Sequence, residues 1–266
     1  MLASIRNRIY SDFFLPSRLN EYREMLLTAQ NRGYEMHSIR SFWRLIQAGG
    51  VRPEQKYFIN RHDIDTDLSV TRCMWEIEQE LGVPASYYFR LSTLDFELMK
   101  EIEAGGSEAS YHYEEIASDA KLRGYKSKEA VNVHMGRIQR LFADNLIHLR
   151  RSTGLPMEIV ASHGDFVNRI LGLSNHALLQ NKALRESLGI ELEVYDDSFM
   201  KYVTSRHSDM IYPKFYKPTS PFDAIQGGQH VIYFLSHPRH WRANPKENLL
   251  DDINRVWEGV RYKVNL

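Results

Sequence analysis

Cysteine is almost absent: Cys73 is the single one in 266 residues. No intrachain disulfide can form, which fits a reducing compartment. The chain also lacks an excess of charge. Lysine plus arginine and aspartate plus glutamate number 34 each, so the formal net charge is zero. That balance gives no reason to expect nucleic acid or an anionic membrane as a partner. No run of about 18 apolar residues occurs, so no transmembrane helix is expected. Residues 1–15 carry Arg6, Arg8 and Asp12 and no unbroken apolar stretch, unlike a secretory leader. A cytoplasmic location is the simplest expectation. Internal repeats, low-complexity segments and a clear linker are missing too, so one domain over residues 1–266 is expected.

Hydrophobic residues make up 43% of the chain, enough for a sizeable core. Residues 1–50 read as helical, with Leu19, Tyr22, Met25 and Leu26 at helical spacing. From residue 56 onward, strand patterns alternate with helix patterns. Lys56-Tyr57-Phe58-Ile59-Asn60 is a short buried strand. Val70, Met74, Ile77 and Leu81 form one helical face that Gly82 ends. Cys73 lies on that face and reads as core rather than as a nucleophile. Residues 85–91 alternate like a strand, 96–104 form a helix, and Ser110–Tyr113 is the next strand end. Ser127 caps a long helix with Val131, Met135, Ile138, Phe142 and Leu149 on its apolar face. Strands follow at 157–162, 192–195 and 230–235, a helix at 178–188, and a last helix through Leu249, Ile253, Val256 and Val260. This alternation predicts a parallel sheet or a (β/α) barrel.

The chemistry concentrates where strands end. The first strand runs into Arg61-His62-Asp63-Ile64-Asp65. In extended chain, residues two apart share a face, so Asp63 and Asp65 project together. Two close carboxylates repel and call for a cation or a shared proton. The alternative is a loop start with helix-capping aspartates. Later strand ends carry His112 with Glu114 and Glu115, His163 with Asp165, Asp196 with Asp197, and His237. One such histidine alone would be unremarkable, but five polar strand ends gathered at one rim would form a site. Carboxylates and imidazoles there permit metal-assisted hydrolysis, with a carboxylate taking a proton from water and a histidine protonating the leaving group.

Over roughly residues 55–240 the chain resembles the NodB-type polysaccharide deacetylases, carbohydrate esterase family four, in a divergent branch. Asp63-Ile64-Asp65 resembles the family's aspartate pair, which implies Asp63 as base and Asp65 as metal ligand. Gly106–His112 resembles the first half of its second motif, which implies His112 as a ligand. Leu235-Ser236-His237 matches its last motif, which implies His237 as general acid. Ile64 separates the aspartates, Ile116 stands where a second histidine belongs, and Ser162–Asp165 replaces an arginine-proline motif. His163, Glu114 or Glu115 would then complete the metal shell, His163 being the first choice. Arg61, Glu114, Asp165 and Asp197 are the candidates for substrate binding. The resemblance implies a distorted (β/α) barrel of fewer than eight strands, parallel, with N-terminal helices outside over 1–50 and a C-terminal helix within 241–266. The expected activity is metal-dependent hydrolysis of an N-acetylated sugar or related amide, with zinc as the expected divalent metal and a saccharide as partner. A non-catalytic carbohydrate-binding protein on the same fold is the competing expectation.

Overall fold

Strand β2 (Lys56–Ile64) is the longest strand and the axis of the sheet. Its residues 57–64 are all buried, so both faces are covered, as in a parallel sheet with helices outside. One edge of β2 is shared. β1 (Tyr34–His37) pairs with residues 56–59, and β3 (Ser86–Phe89) pairs with residues 61–64. The other edges follow from β4 (Glu108–Tyr113), β5 (Ile159–Ser162), β6 (Leu192–Glu193), β7 (Ser205–Asp209), β8 (Tyr216–Lys217) and β9 (Val231–Ser236). The sheet runs β6-β5-β4-β3-β2-β9-β7-β8, with β1 attached to β2. All pairings are parallel except β7 with β8. The computed structural model describes residues 2–264, so Met1, Asn265 and Leu266 of the expected terminal segments lie outside the described residues.

The result is a distorted (β/α) barrel, a sheet that curls without closing among the described residues. One apolar cluster fills the curl, with Tyr57, Ile59, Tyr88, Ala161, Leu192, Tyr233 and Leu235 among its members. Two others lie between the sheet and the outer helices. Helix Leu68–Leu81 buries Val70, Met74 and Ile77 against the outer face of the sheet, and Gly82, at φ 64, closes it in the left-handed conformation.

Several expectations need correcting. Among the described residues the sheet has nine strands rather than fewer than eight, because short strands extend both ends. Residues 1–50 are not all outside: Tyr34–His37 enters the sheet between helices Leu19–Asn31 and Ile39–Gln47. The long helix capped by Ser127 breaks at His134 into Lys128–Val133 and Met135–Thr153, where His134 stacks on Tyr125. The final helix, Pro245–Val264, buries Asn248 and Tyr262, while its apolar stripe Leu249, Ile253, Val256 and Val260 is exposed. Among the described residues, no helix is long and apolar enough to cross a membrane.

Candidate active site

Inward-facing positions recur every second residue along each strand. On β2 the inward column starts with Tyr57 and Ile59 and continues as Arg61 and Asp63, with Asp65 one step beyond the strand. On β4 it runs Glu108, Ser110, His112. On β5 it is Ile159 and Ala161, then His163. On β9 it is Val231, Tyr233 and Leu235, then His237. Apolar residues thus fill the curl at the start of the strands, and polar ones occupy the rim at their C-terminal ends. Register sets the alignment. His112 pairs with Ala161, and His163 N–H continues the ladder to Tyr113 O at 2.8 Å.

Asp65, His112 and His163 converge, each offering one donor atom, with these atoms all within 4.8 Å of one another. His112 Nε2 lies 3.6 Å and His163 Nε2 3.5 Å from Asp65 Oδ1. The far nitrogens are occupied. His112 Nδ1 donates to the Ala161 carbonyl at 3.0 Å, and His163 Nδ1 donates to Glu114 at 2.9 Å. Both histidines therefore turn Nε2 toward the same point. Burial lowers His112 to about 4, only partly offset by Asp63 and Asp65, so it is neutral with its Nε2 lone pair free. Asp65 Oδ1 is buried and has no hydrogen-bond partner. Its charge is faced by the His163 imidazole at 3.5 Å. Burial works against the charge on that imidazole, but Asp65 and then Glu114 outweigh it and raise His163 to about 9. A divalent cation here would take the place of that proton.

Asp63 stands beside this group, its Oδ2 3.4 Å from His112 Nε2. Arg61 grips it with two bonds, Nε to Oδ1 at 2.7 Å and Nη2 to Oδ2 at 2.9 Å. Burial works against the Asp63 charge, but Arg61 and then His112 outweigh it and hold the carboxyl below its ordinary range. Arg61 itself is fully buried and also donates to Tyr233 Oη at 2.7 Å.

His237 belongs to a second cluster. Its Nδ1 donates to Asp209 Oδ1 at 2.7 Å and its backbone N–H to Asp209 Oδ2 at 2.7 Å. Trp241 Nε1 donates to the same carboxylate at 3.1 Å. Burial disfavours the charged imidazole, but Asp209, then Asp65 and Asp63, outweigh it and raise His237 to about 9.

The four residues expected to bind substrate are placed differently from one another. Arg61 is corrected to a support: it has no exposed surface and is spent on Asp63 and Tyr233. Glu114 is likewise a support, bonded to His163 and paired with Arg90 at 2.8 Å. Asp165 does border the larger cleft, but its carboxylate caps helix Phe166–Leu171 and pairs with Lys121 at 3.0 Å. Asp197 is exposed at the start of helix Asp197–Met200 and lines neither cavity beside the site. Glu115 bonds Tyr111 and Asn145 among the outer helices, away from the metal-capable group.

Asp209 was not foreseen. Its strand, Ser205–Asp209, contains no apolar residue, so hydrophobic alternation gave no signal for it. Arg90, whose guanidinium fixes Glu114, also left no trace beyond being polar at the end of β3.

No family model and no curated protein matches the chain. Two solved structures are similar to it. IcaB from Ammonifex degensii shares 19% identity at a TM-score of 0.44, over 68% of this chain and 79% of that one. The Streptococcus pyogenes deacetylase PplD in complex with acetate shares 12% identity at a TM-score of 0.45, over 88% of this chain and 85% of that one. Likeness at this distance leaves the function to be argued from the side chains.

Proposed function

We propose that this chain is a divalent-metal-dependent hydrolase that removes the acyl group from an N-acylated sugar or a related amide. The observation that carries the reading is the convergence of Asp65, His112 and His163 beside a carboxylate held by arginine and an imidazole held by aspartate. The residues fit a metal. Two imidazole nitrogens and one carboxylate are a donor set suited to catalytic zinc, which keeps a further position open. His163, raised to about 9 against burial by Asp65 and then Glu114, would give up its Nε2 proton when a metal binds. The tied far nitrogens are the outer support that metal-binding histidines usually have. When bound there, a divalent cation would activate water and polarise an acyl oxygen.

The remaining work falls to the protein's own groups. Asp63, ionised and fixed by Arg61, accepts the proton of the attacking water. His237, with Nδ1 committed to Asp209, holds its other proton on Nε2 for the departing nitrogen. The C–N bond breaks as that proton is transferred, giving a carboxylate and a free amine. Amide nitrogen is a poor leaving group unless protonated, so an imidazolium that persists to about pH 9 suits the role.

The test is metal analysis of the purified protein together with acetate and amine release from N-acetylglucosamine oligomers. One equivalent of divalent metal, and turnover abolished by chelation and restored by metal, are expected. Anomalous scattering should place the ion on Asp65, His112 and His163, at about 2.0–2.2 Å for zinc. Sugar binding by the metal-loaded protein with no product released would overturn the reading in favour of a binding protein.

A further inference from the structure

Two cavities meet at the candidate centre and share Asp65, His163 and His237 in their walls. The larger, about 680 Å³, runs toward the last helix, and its arginines nearest the centre are neutralised. Arg90 pairs with Glu114, and Arg239 pairs with Asp12, Asp251 and Asp252. The smaller, about 540 Å³, opens under β7 and β8 and has a different charge balance.

Its only carboxylates are Asp63 and Asp65. Asp63 is already matched by Arg61, and Asp65 faces the metal-capable histidines. Arg206 and Lys217 line the same cavity, and among the described residues neither has a carboxylate within 4.0 Å. Arg206 is nevertheless held. Its guanidinium lies 5.1 Å from the Tyr195 ring centroid and 5.7 Å from that of Tyr233. Aromatic faces fix a guanidinium without cancelling its charge and leave its N–H donors free for an anion. Filling the metal position would add further positive charge at the cavity's inner end. The volume is that of a site for a small ligand, large enough for one sugar ring.

We infer that this smaller cavity is a subsite for an anionic substituent of the substrate, a carboxylate or a phosphate, recognised by Arg206 and Lys217. The inference rests on the amide-hydrolase reading, since it puts the scissile amide where the two cavities meet and the anion toward β7 and β8.

The probes are N-acetylglucosamine, its 6-carboxylate (the uronic acid) and its 6-phosphate. With metal-loaded protein, at least one anionic probe should exceed the neutral sugar in kcat/KM by about tenfold or more, and which one does identifies the group. Arg206→Gln with Lys217→Gln should erase that preference and leave the neutral sugar's kcat/KM unchanged, at an unaltered thermal midpoint. Raised salt should shrink the preference in the unmodified protein only. Calorimetric binding to chelated protein separates this inference from the hydrolase reading, because no turnover is involved. Tighter binding of an anionic probe that is lost in the double variant supports the subsite even if no acetate is ever released. Equal binding of all three probes, or a preference that survives the double substitution, overturns it whatever the activity.

Discussion

At the scale of single residues, Asp63 is both a candidate base and half of a buried ion pair. Asp63→Asn should keep the metal, whose candidate donors are elsewhere, yet lower turnover by about 10²–10⁴-fold. It should also lower the thermal midpoint, since Arg61 is fully buried and would lose its counter-charge, a change worth up to about 3–5 kcal/mol in buried pairs. Metal content, rate and thermal unfolding measured on one preparation separate these effects. Full activity in a folded Asp63→Asn protein would rule out the base. His237→Ala should lose activity on a similar scale, and the double variant should cost less than the product of the two. Asp209→Asn tests the acid in another way. Asp209 is the main group that raises His237 against burial, so its neutralisation should lower the histidine's pKa. The alkaline limb of the kcat/KM profile, expected near pH 9, should then move toward neutral pH. A limb that stays in place would remove His237 from the acid role.

At the scale of elements, a buried acid stands at each end of β4, Glu108 as its first residue and Glu114 just past its last, and they behave oppositely. At the rim, burial works against the Glu114 charge, but the hydrogen bond from His163 and the charge of Arg90 outweigh it and hold Glu114 low. Glu114→Gln keeps the shape but removes the charge behind His163, and should weaken metal affinity by about 10–100-fold in a metal titration. At the opposite end, Glu108 is buried at the start of the strand and accepts bonds from Ser86 Oγ and the Arg40 backbone N–H. Burial raises it to about 7, with Arg40 and Ser86 opposing. A carboxyl whose folded pKa lies above its unfolded value favours the protonated folded state. Its cost is therefore absent below about pH 4.5 and grows as pH rises toward 7. At about 1.4 kcal/mol per pKa unit, the protein should lose on the order of 3 kcal/mol of stability between pH 5 and 8 from this group. Denaturant unfolding at the two pH values should show a much smaller loss in Glu108→Gln. An equal loss in both proteins would mean that the charge at Glu108 is compensated.

At the scale of the whole molecule, the candidate ligands come from distant parts of the chain. Asp65 follows β2, His112 lies on β4, and His163 follows β5. A cation bound to all three ties these strands together only in the folded state. Metal at 100 times its dissociation constant should therefore add about 2.7 kcal/mol of stability, read as a higher thermal midpoint that chelator reverses. His163→Ala should lose most of that metal-dependent increment, whereas Asp197→Asn, exposed and away from both cavities, should keep it.

The parts legible in the sequence alone are those carried by local geometry. Period-two alternation along Lys56–Asp65 places Asp63 and Asp65 on one face, because successive side chains of an extended strand must alternate. Helical spacing and Gly82 mark the helix after them for an equally local reason. Leu235-Ser236-His237 stands out at a strand end by its resemblance to a family motif rather than by local geometry. Short or polar pieces stayed hidden. β1 has only the four residues Tyr34–His37, and β7 has no apolar residue, so neither carries enough pattern to stand out. Tertiary structure alone decided which polar strand ends meet. Arg61, Glu114, Asp165 and Asp197 are all polar residues close to strand ends, yet one is buried beneath Asp63, one supports His163, one caps a helix and one faces solvent. Asp209 reaches His237 across 28 positions of chain because β7 and β9 lie side by side. Alternation sets the face of a strand on which a side chain lies. The curl of the sheet and the pairing of distant strands set the point toward which that face is turned, and these depend on contacts that no local stretch of sequence contains.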